Sequence, residues 1–252
     1  MLHVHGLTKQ FGGVTAVDDM SFTLSKGTIT GLIGPNGAGK TTLFNLIAGT
    51  YRPSQGRLEF AGQRIDRQRQ DQRIALGIGR TFQIPRPFPE MSVLDNTMVA
   101  AGNQMGERFW RAWTSPRAVA RQEAMIRARA LDWLSFVGLD RLAGEPARVL
   151  SGGQRKLLEL ARVMMIEPSL VLLDEPGAGV APPLMREIVD KIRELNARGI
   201  TFLIIEHDMD LVMSLCRPIL VMAQGQLLMQ GSGEEVRQDP RVIEAYLGGS
   251  TP

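Results

Sequence analysis

Residues Gly34 to Thr42 read GPNGAGKTT, and the fold can be worked out from there in both directions. The stretch fits G-x-x-x-x-G-K-[ST], follows the strand-like run Thr30-Gly31-Leu32-Ile33 and opens the helical run Leu43 to Ala48. Strand, glycine-rich turn and helix in that order predict a phosphate-binding loop. Gly34, Pro35, Asn36, Gly37, Ala38 and Gly39 form the turn, whose glycines let backbone N–H groups point inward at phosphate oxygens. The following helix directs its positive end at the same place, and Lys40 adds a full charge near the β and γ oxygens. Thr41 is expected to hold Mg²⁺ through its hydroxyl, with Thr42 beside it. A plain strand-to-helix turn is the alternative, and the complete pattern in this context argues against it.

Downstream, Ser169-Leu-Val-Leu-Leu-Asp174-Glu175 is an apolar strand ending in two acids. The C-terminal ends of parallel strands are where such sheets bind ligands. Asp174 fits the Mg²⁺ position, directly or through water. Glu175 is placed to orient and polarise a water for attack on a γ-phosphate, which points to ATP hydrolysis as well as binding. Two acids after a strand are otherwise just a charge bias at a helix N-terminus; the phosphate loop tips the reading.

The organisation around these motifs is α/β. Short β-rich runs at Val4 to Leu7, Ser21 to Leu24, Thr28 to Ile33 and Arg57 to Phe60, with a turn at Ala61-Gly62-Gln63, predict a mixed sheet in the first sixty-five residues. From Ser92 to Asp140 the period becomes helical: Ile126, Ala130, Trp133, Leu134 and Val137 recur every three or four residues and Gly138 stands at a C-cap position. After Gln154 a helix with Leu157, Leu160, Ala161, Met164 and Met165 runs toward Pro168. Strands and helices then alternate at 169–173, 182–197, 200–205, 208–215 and 218–223, which predicts a parallel sheet.

Composition excludes several classes. A chain of 252 residues can bury a core without disulfides, and its one cysteine, Cys216, has no internal partner. With three histidines, a Cys/His metal cluster lacks ligands. Apolar runs such as Leu170 to Leu173 are far short of the ~20 residues that span a bilayer, and MLHVHGLTKQ has no signal-peptide core. A reducing, cytoplasmic setting is expected, with any membrane contact made through a partner. Seven arginines fall between Arg57 and Arg86. They predict a solvated basic face compatible with anionic lipid headgroups, and no aromatic interleaving supports nucleic-acid binding.

Leu150-Ser151-Gly152-Gly153-Gln154 precedes an amphipathic helix. Taken singly, it would be an N-cap with a tight glycine entry. Between GPNGAGKTT and LVLLDEP, however, LSGGQ makes the whole chain resemble the ABC ATPases. The resemblance implies a P-loop cassette over 1–252 with a mixed parallel sheet core, an N-terminal antiparallel β subdomain and an inserted helical subdomain at about 92–150. It implies ATP and Mg²⁺ as cofactors, and a head-to-tail dimer with a second ATPase cassette, identical or paralogous. In that dimer Ser151, Gly152, Gly153 and Gln154 face the nucleotide of the opposite subunit. It further implies that Gln83 in RTFQ senses Mg²⁺ and contacts a membrane subunit, that His207 in IIEHDM contacts the γ-phosphate, and that Phe11 stacks on adenine. One departure stands out. Where many members have Ser-Ala-Leu-Asp after the catalytic acid, this chain has Pro176-Gly177-Ala178-Gly179-Val180-Ala181, with alanine in place of the aspartate that crosses the dimer.

RTFQIPRPFPEMSVLDN (80–96), EPGAGVAP (175–182), IIEHDMDLVM (204–213) and DPRVIEAYLGG (239–249) are similar to the ATP-binding subunits of branched-chain amino-acid importers. That subfamily implies two membrane permeases, indirectly a periplasmic or extracellular solute-binding protein, and a peripheral position on the cytoplasmic face of the inner (plasma) membrane. Importers of urea, amides or other small organic solutes share the pattern. A soluble ABC ATPase acting on ribosomes or DNA is the rival class; those carry tandem cassettes or a long coiled-coil insertion, neither of which is present.

Overall fold

The computed structural model describes residues 1–81, 87–102, 104–105 and 113–247. In chain order it runs β1 (Leu2–Phe11), β2 (Val14–Leu24), β3 (Ile29–Ile33), α1 (Lys40–Ala48), β4 (Gln55–Phe60), β5 (Gln63–Arg64), α2 (Gln70–Ala75) and β6 (Ile78–Arg80). Helices α3 (Val93–Met98), α4 (Pro116–Phe136) and α5 (Gly152–Met164) follow. Then come β7 (Leu170–Asp174), α6 (Pro182–Ala197), β8 (Thr201–Ile205), α7 (Met209–Leu215), β9 (Ile219–Ala223), β10 (Gln226–Gly231), α8 (Gly233–Gln238) and α9 (Pro240–Leu247). The chain divides into two units: Met1–Gln83 with Ser169–Ala178 and Ile192–Pro252, and Ile84–Pro168 with Gly179–Lys191.

The first unit holds both sheets. One is antiparallel, ordered β2-β1-β4-β5; the other is ordered β10-β9-β3-β8-β7-β6, parallel except for the β9/β10 pair. Every residue of β3, β7 and β8 is buried, as expected for strands covered on both faces. Leu43, Phe44, Leu46 and Ile47 of α1 join Leu2, Leu7 and Phe60 of the antiparallel sheet and Leu172 and Leu203 of the parallel one in a single core cluster. The α/β class and the N-terminal antiparallel sheet thus agree with the resemblance, whereas the N-terminal strands do not form one mixed sheet: β3 leaves its neighbours to pair in parallel with β8 and β9. Strand β10 and helices α8 and α9 were not anticipated. Alternation in Gln226–Gly231 is weak, yet Gln224 and Gly225 both have positive φ (49° and 84°), the signature of a tight hairpin. Ser232 and Glu235 form a capping box that starts α8.

The basic run between Arg57 and Arg86 is not a bare cationic face. Arg57, Arg64 and Arg69 pair with Glu59, Asp66 and Asp71 at 3.5, 2.6 and 3.0 Å. The Arg80 side chain is only 12% exposed, while Arg86 lies outside the described residues. Arg73 is fully buried. Its Nη1 donates to the carbonyls of Leu46 and Ile47 (2.5 and 2.8 Å) and its Nε to that of Gln68 (3.2 Å). Leu46 and Ile47 lie in the last turn of α1, whose carbonyls the helix cannot satisfy itself. Burial lowers the Arg73 pKa to about 10, with Asp66 opposing the shift, so the group is still a cation at neutral pH.

In the second unit Ile126, Ala130 and Leu134 form the buried stripe of α4, and Gly138 follows its cap with φ 70°. Leu157, Leu160, Ala161 and Met164 are the buried face of α5. Trp133 is only half-buried, edge-on to Phe136.

Arg73→Met keeps the reach of the side chain but removes the donors at the end of α1. A buried acceptor left without its partner costs roughly 1–3 kcal/mol. The urea midpoint of Arg73→Met should therefore fall clearly below the parent's; an unchanged midpoint would show that these hydrogen bonds do not stabilise the fold.

Candidate functional site

The loop between β3 and α1 is fixed by close backbone approaches. A Cβ on Gly34 (φ 151°) would lie 2.0 Å from the Met222 carbonyl oxygen, and one on Gly39 (φ 96°) 2.2 Å from that of Ala16. Gly225 N–H donates to the Ala38 carbonyl at 3.1 Å. Gly39 is the N-cap of α1 and carries no side chain to satisfy the first-turn N–H groups, and the first turn has no acid. The helix start is therefore open to an anion.

Lys40 is buried, and its Nζ donates to the carbonyls of Gly34 and Pro35 (2.6 and 2.9 Å). Burial lowers its pKa, while Glu175 and Asp174 pull it back up. A cavity of about 280 Å³ opens beside it, lined by Asn36, Gly37, Thr41, Glu175 and His207 among others. Phe11 lies outside that lining: its ring meets Tyr51 edge-on at 5.2 Å, with Lys9 Nζ 4.9 Å from its centroid.

Asp174 ends β7 and is 4% exposed. Arg80 Nη2 is 3.5 Å from its Oδ2, and Arg80 Nη1 donates to Asn45 Oδ1 at 2.6 Å. The Asp174 N–H donates to Thr81 Oγ1 at 3.3 Å. Glu175 turns the chain with φ 48°, anchored by its N–H on the Ile205 carbonyl (2.9 Å). His207 Nε2 lies 2.8 Å from Glu175 Oε1. Buried Glu206 accepts from the N–H groups of Gly177 (2.6 Å) and His207 (3.1 Å). Arg80, Asn45 and Glu206 were missed in the sequence. The available signal was a charge at the end of an apolar strand, as in Ile204-Ile205-Glu206.

Lys40, Thr41, Glu175 and His207 thus share one pocket, with Asp174 close enough to act on the Lys40 charge. Gln83 lies outside the described residues. Ser151, Gly152, Gly153 and Gln154 belong to the second unit, where Ser151 caps α5 and exchanges a capping box with Gln154 (2.9 and 3.3 Å). Gly153 is buried; a Cβ there would fall 1.9 Å from Leu184 Cδ2, so that glycine also serves helix packing. Exposed Ala181 accepts from Met185 N–H at the start of α6.

An uncapped helix end, a lysine and a carboxylate–imidazole pair around one cavity suit a polyphosphate whose terminal group is attacked by water. The hydroxyl of Thr41 and the carboxylate of Asp174 are hard oxygen donors of the kind that suits Mg²⁺. The ABC transporter family profile matches residues 17–178. The chain belongs to the ABC transporter family.

This ABC chain is an ATP-binding, ATP-hydrolysing subunit. A second profile, for branched-chain amino acid ATP-binding cassette transporters, matches residues 226–251. The high-affinity branched-chain amino acid transport ATP-binding protein LivG of Salmonella typhimurium (strain LT2) is 40% identical over 98% of both chains. Its namesake in Escherichia coli (strain K12) is 39% identical, again over 98% of both. Among solved structures, a nucleotide-free ATP-binding cassette from an ABC transporter superposes with a TM-score of 0.84 at 38% identity, covering 97% of this chain and 98% of that one. A cassette in its ADP conformation gives the same TM-score and identity over 98% of both chains. No helix among the described residues is long and apolar enough to cross a membrane.

Gly39→Ala should leave the protein folded but push the loop off the Ala16 carbonyl. A displacement costing about 1.4 kcal/mol of binding is a tenfold loss of affinity, so fluorescent ATP-analogue titration should show at least that. Parental affinity would mean the close approach does not shape the site.

Proposed function

We propose that the chain energises import of branched-chain amino acids, working as one cassette in a head-to-tail pair beneath two permease subunits at the cytoplasmic face of the membrane. An external solute-binding protein delivers the substrate. The observation that carries the substrate class is 39–40% identity over 98% of the chain to proteins named for that transport, together with the tail match at 226–251.

In this reading the loop N–H groups and Lys40 take the β and γ phosphates of ATP, and Phe11 offers a face to the adenine. Thr41 and Asp174 would hold Mg²⁺, with Gln83 as its sensor; bound there, the ion offsets phosphate charge. Glu175 orients a water and takes its proton as the water oxygen bonds to the γ-phosphorus. The bond from that phosphorus to the β–γ bridging oxygen breaks, leaving ADP and inorganic phosphate. His207, paired with Glu175 in the structure, turns to the γ-phosphate. Ser151 to Gln154 of the second cassette close the opposite face. The loop from Gln83 to Met91 docks on a permease. Within it Phe88 is 49% exposed and its backbone is pinned through Asn96, which accepts from Phe88 N–H (2.8 Å) and donates to its carbonyl (2.9 Å).

Replacing Glu175 by Gln keeps a hydrogen-bonding group but removes the proton acceptor, a change worth on the order of 10²-fold or more in turnover. ATP should still bind, and cells whose only copy is Glu175→Gln should lose uptake of labelled leucine, isoleucine and valine. Undiminished uptake with the variant assembled would overturn the function.

The shared site has its own test. Chains with Lys40→Ala and chains with Ser151→Arg should each be inactive as homodimers. A mixed dimer has one intact site and should recover part of the ATPase activity; if the natural partner is a paralogue, one change goes into each subunit. A mixture that dimerises and stays inactive would place the whole site within one chain.

A further inference from the structure

Glu206 is 5% exposed at the exit of β8, and none of the roles above uses it. Its neighbours form a closed circuit. Glu206 Oε1 accepts from Gly177 N–H at 2.6 Å, and Gly177 is two residues beyond Glu175; Glu206 Oε2 accepts from the N–H of adjacent His207 at 3.1 Å. The His207 ring returns to Glu175 Oε1 at 2.8 Å. Outside the circuit, Glu175 N–H binds the Ile205 carbonyl (2.9 Å) and Ala178 N–H the Glu175 carbonyl (3.2 Å). We infer that Glu206 is a positioning residue for hydrolysis, holding the turn that carries Glu175 and the backbone that carries His207 in one register.

Three observations support this. First, Glu175 sits at φ 48°, a left-handed conformation that costs a non-glycine residue roughly 1–2 kcal/mol and persists only where the surroundings hold it. Second, the carboxylate is costly where it lies. Burial raises its pKa and Glu175 raises it further, against the hydrogen bonds from Gly177, His207 and Asp208. A carboxylate serves two N–H groups on two oxygens; an amide would turn an NH₂ toward one of them. Third, Glu206 is not needed to start the next helix, because Asp208 caps α7 by accepting from Leu211 N–H at 3.0 Å.

The inference rests on Glu175 being the hydrolytic base. Its test is Glu206→Gln, of nearly equal size, measured for kcat, KM for ATP and thermal midpoint. The chain has three histidines, so ¹³C-labelled histidine resolves the His207 ring resonance, assigned by its loss in His207→Gln. Misplacing a reacting group by about 1 Å costs on the order of 10²-fold. The expected result is a fall in kcat of that size, KM within about threefold, and a shifted His207 resonance with those of His3 and His5 unmoved. Parental kcat, a loss confined to KM, or an unmoved His207 resonance would each overturn the inference. Hydrogen exchange on the unmodified chain adds a reading independent of how the variant folds. The Gly177 and His207 amides should exchange far more slowly than the exposed Gly12 amide, and equal rates would overturn the inference. Failure of the underlying reading is distinguishable, since it appears as parental hydrolysis by Glu175→Gln, a variant that leaves Glu206 intact.

Discussion

Backbone meets backbone at the two ends of the phosphate loop, and the rest of the site depends on those approaches. Gly34 leaves β3 against the Met222 carbonyl of β9, while Gly39 enters α1 against the Ala16 carbonyl of β2. Neither place has room for a Cβ. The loop therefore touches the parallel sheet at one end and the antiparallel sheet at the other, so its shape is set by strands with a common core. Arg73 fixes the far end of the same helix through the Leu46 and Ile47 carbonyls. Gly49, at φ 86° and with a Cβ position 2.9 Å from Arg73 Nε, leaves room for that guanidinium. The helix that presents its N-terminus to phosphate is thus held at both ends by parts of the chain remote in sequence.

Around this frame the charged groups hold one another in place. Arg80 reaches both Asn45 on α1 and Asp174 at the end of β7, joining the phosphate-loop helix to the strand of the acidic pair. Thr81 adds a second tie, through its hydroxyl, to the Asp174 backbone. Arg80 and Thr81 immediately precede the stretch that contains Gln83, so the strand leading to that glutamine is anchored on the acid with which it is read as sharing an ion. Glu206 does the equivalent on the other side, between Gly177 and His207.

How legible this was depended on whether a position follows a local rule or a distant contact. The phosphate loop could be read because its pattern and its strand–helix context are contiguous from Thr30 to Ala48, the kind of local span over which motif rules operate. The α4 stripe could be read because Ile126, Ala130 and Leu134 repeat with the helical period. Arg73 and Arg80 could not: in sequence they sit among exposed arginines, and only the folded chain shows that Arg73 meets carbonyls of Leu46 and Ile47 and Arg80 meets Asp174. Gly153 shows a mixed case. LSGGQ identified it, but its packing against Leu184 depends on α6. Strands β1 and β2 were found and their lengths underestimated, since β-bulges in β1 and its pairing with β2 break the alternation between Val4 and Gln10.

Charge gives the reason a divalent cation belongs in this reading. Lys40 and Arg80 bring two basic groups next to the carboxylates of Asp174 and Glu175, with Glu206 a short step behind. These groups carry no surplus of positive charge, and a nucleoside triphosphate brings several more negative charges into a pocket where burial weakens screening. The N-terminus of α1 contributes only about half a charge. Lys40 is also engaged with the carbonyls of Gly34 and Pro35, which it must leave or share to meet a phosphate. A hard dication between Thr41 and Asp174 would balance phosphate charge where Arg80 already fixes the acid, without drawing on Glu175, the proposed base.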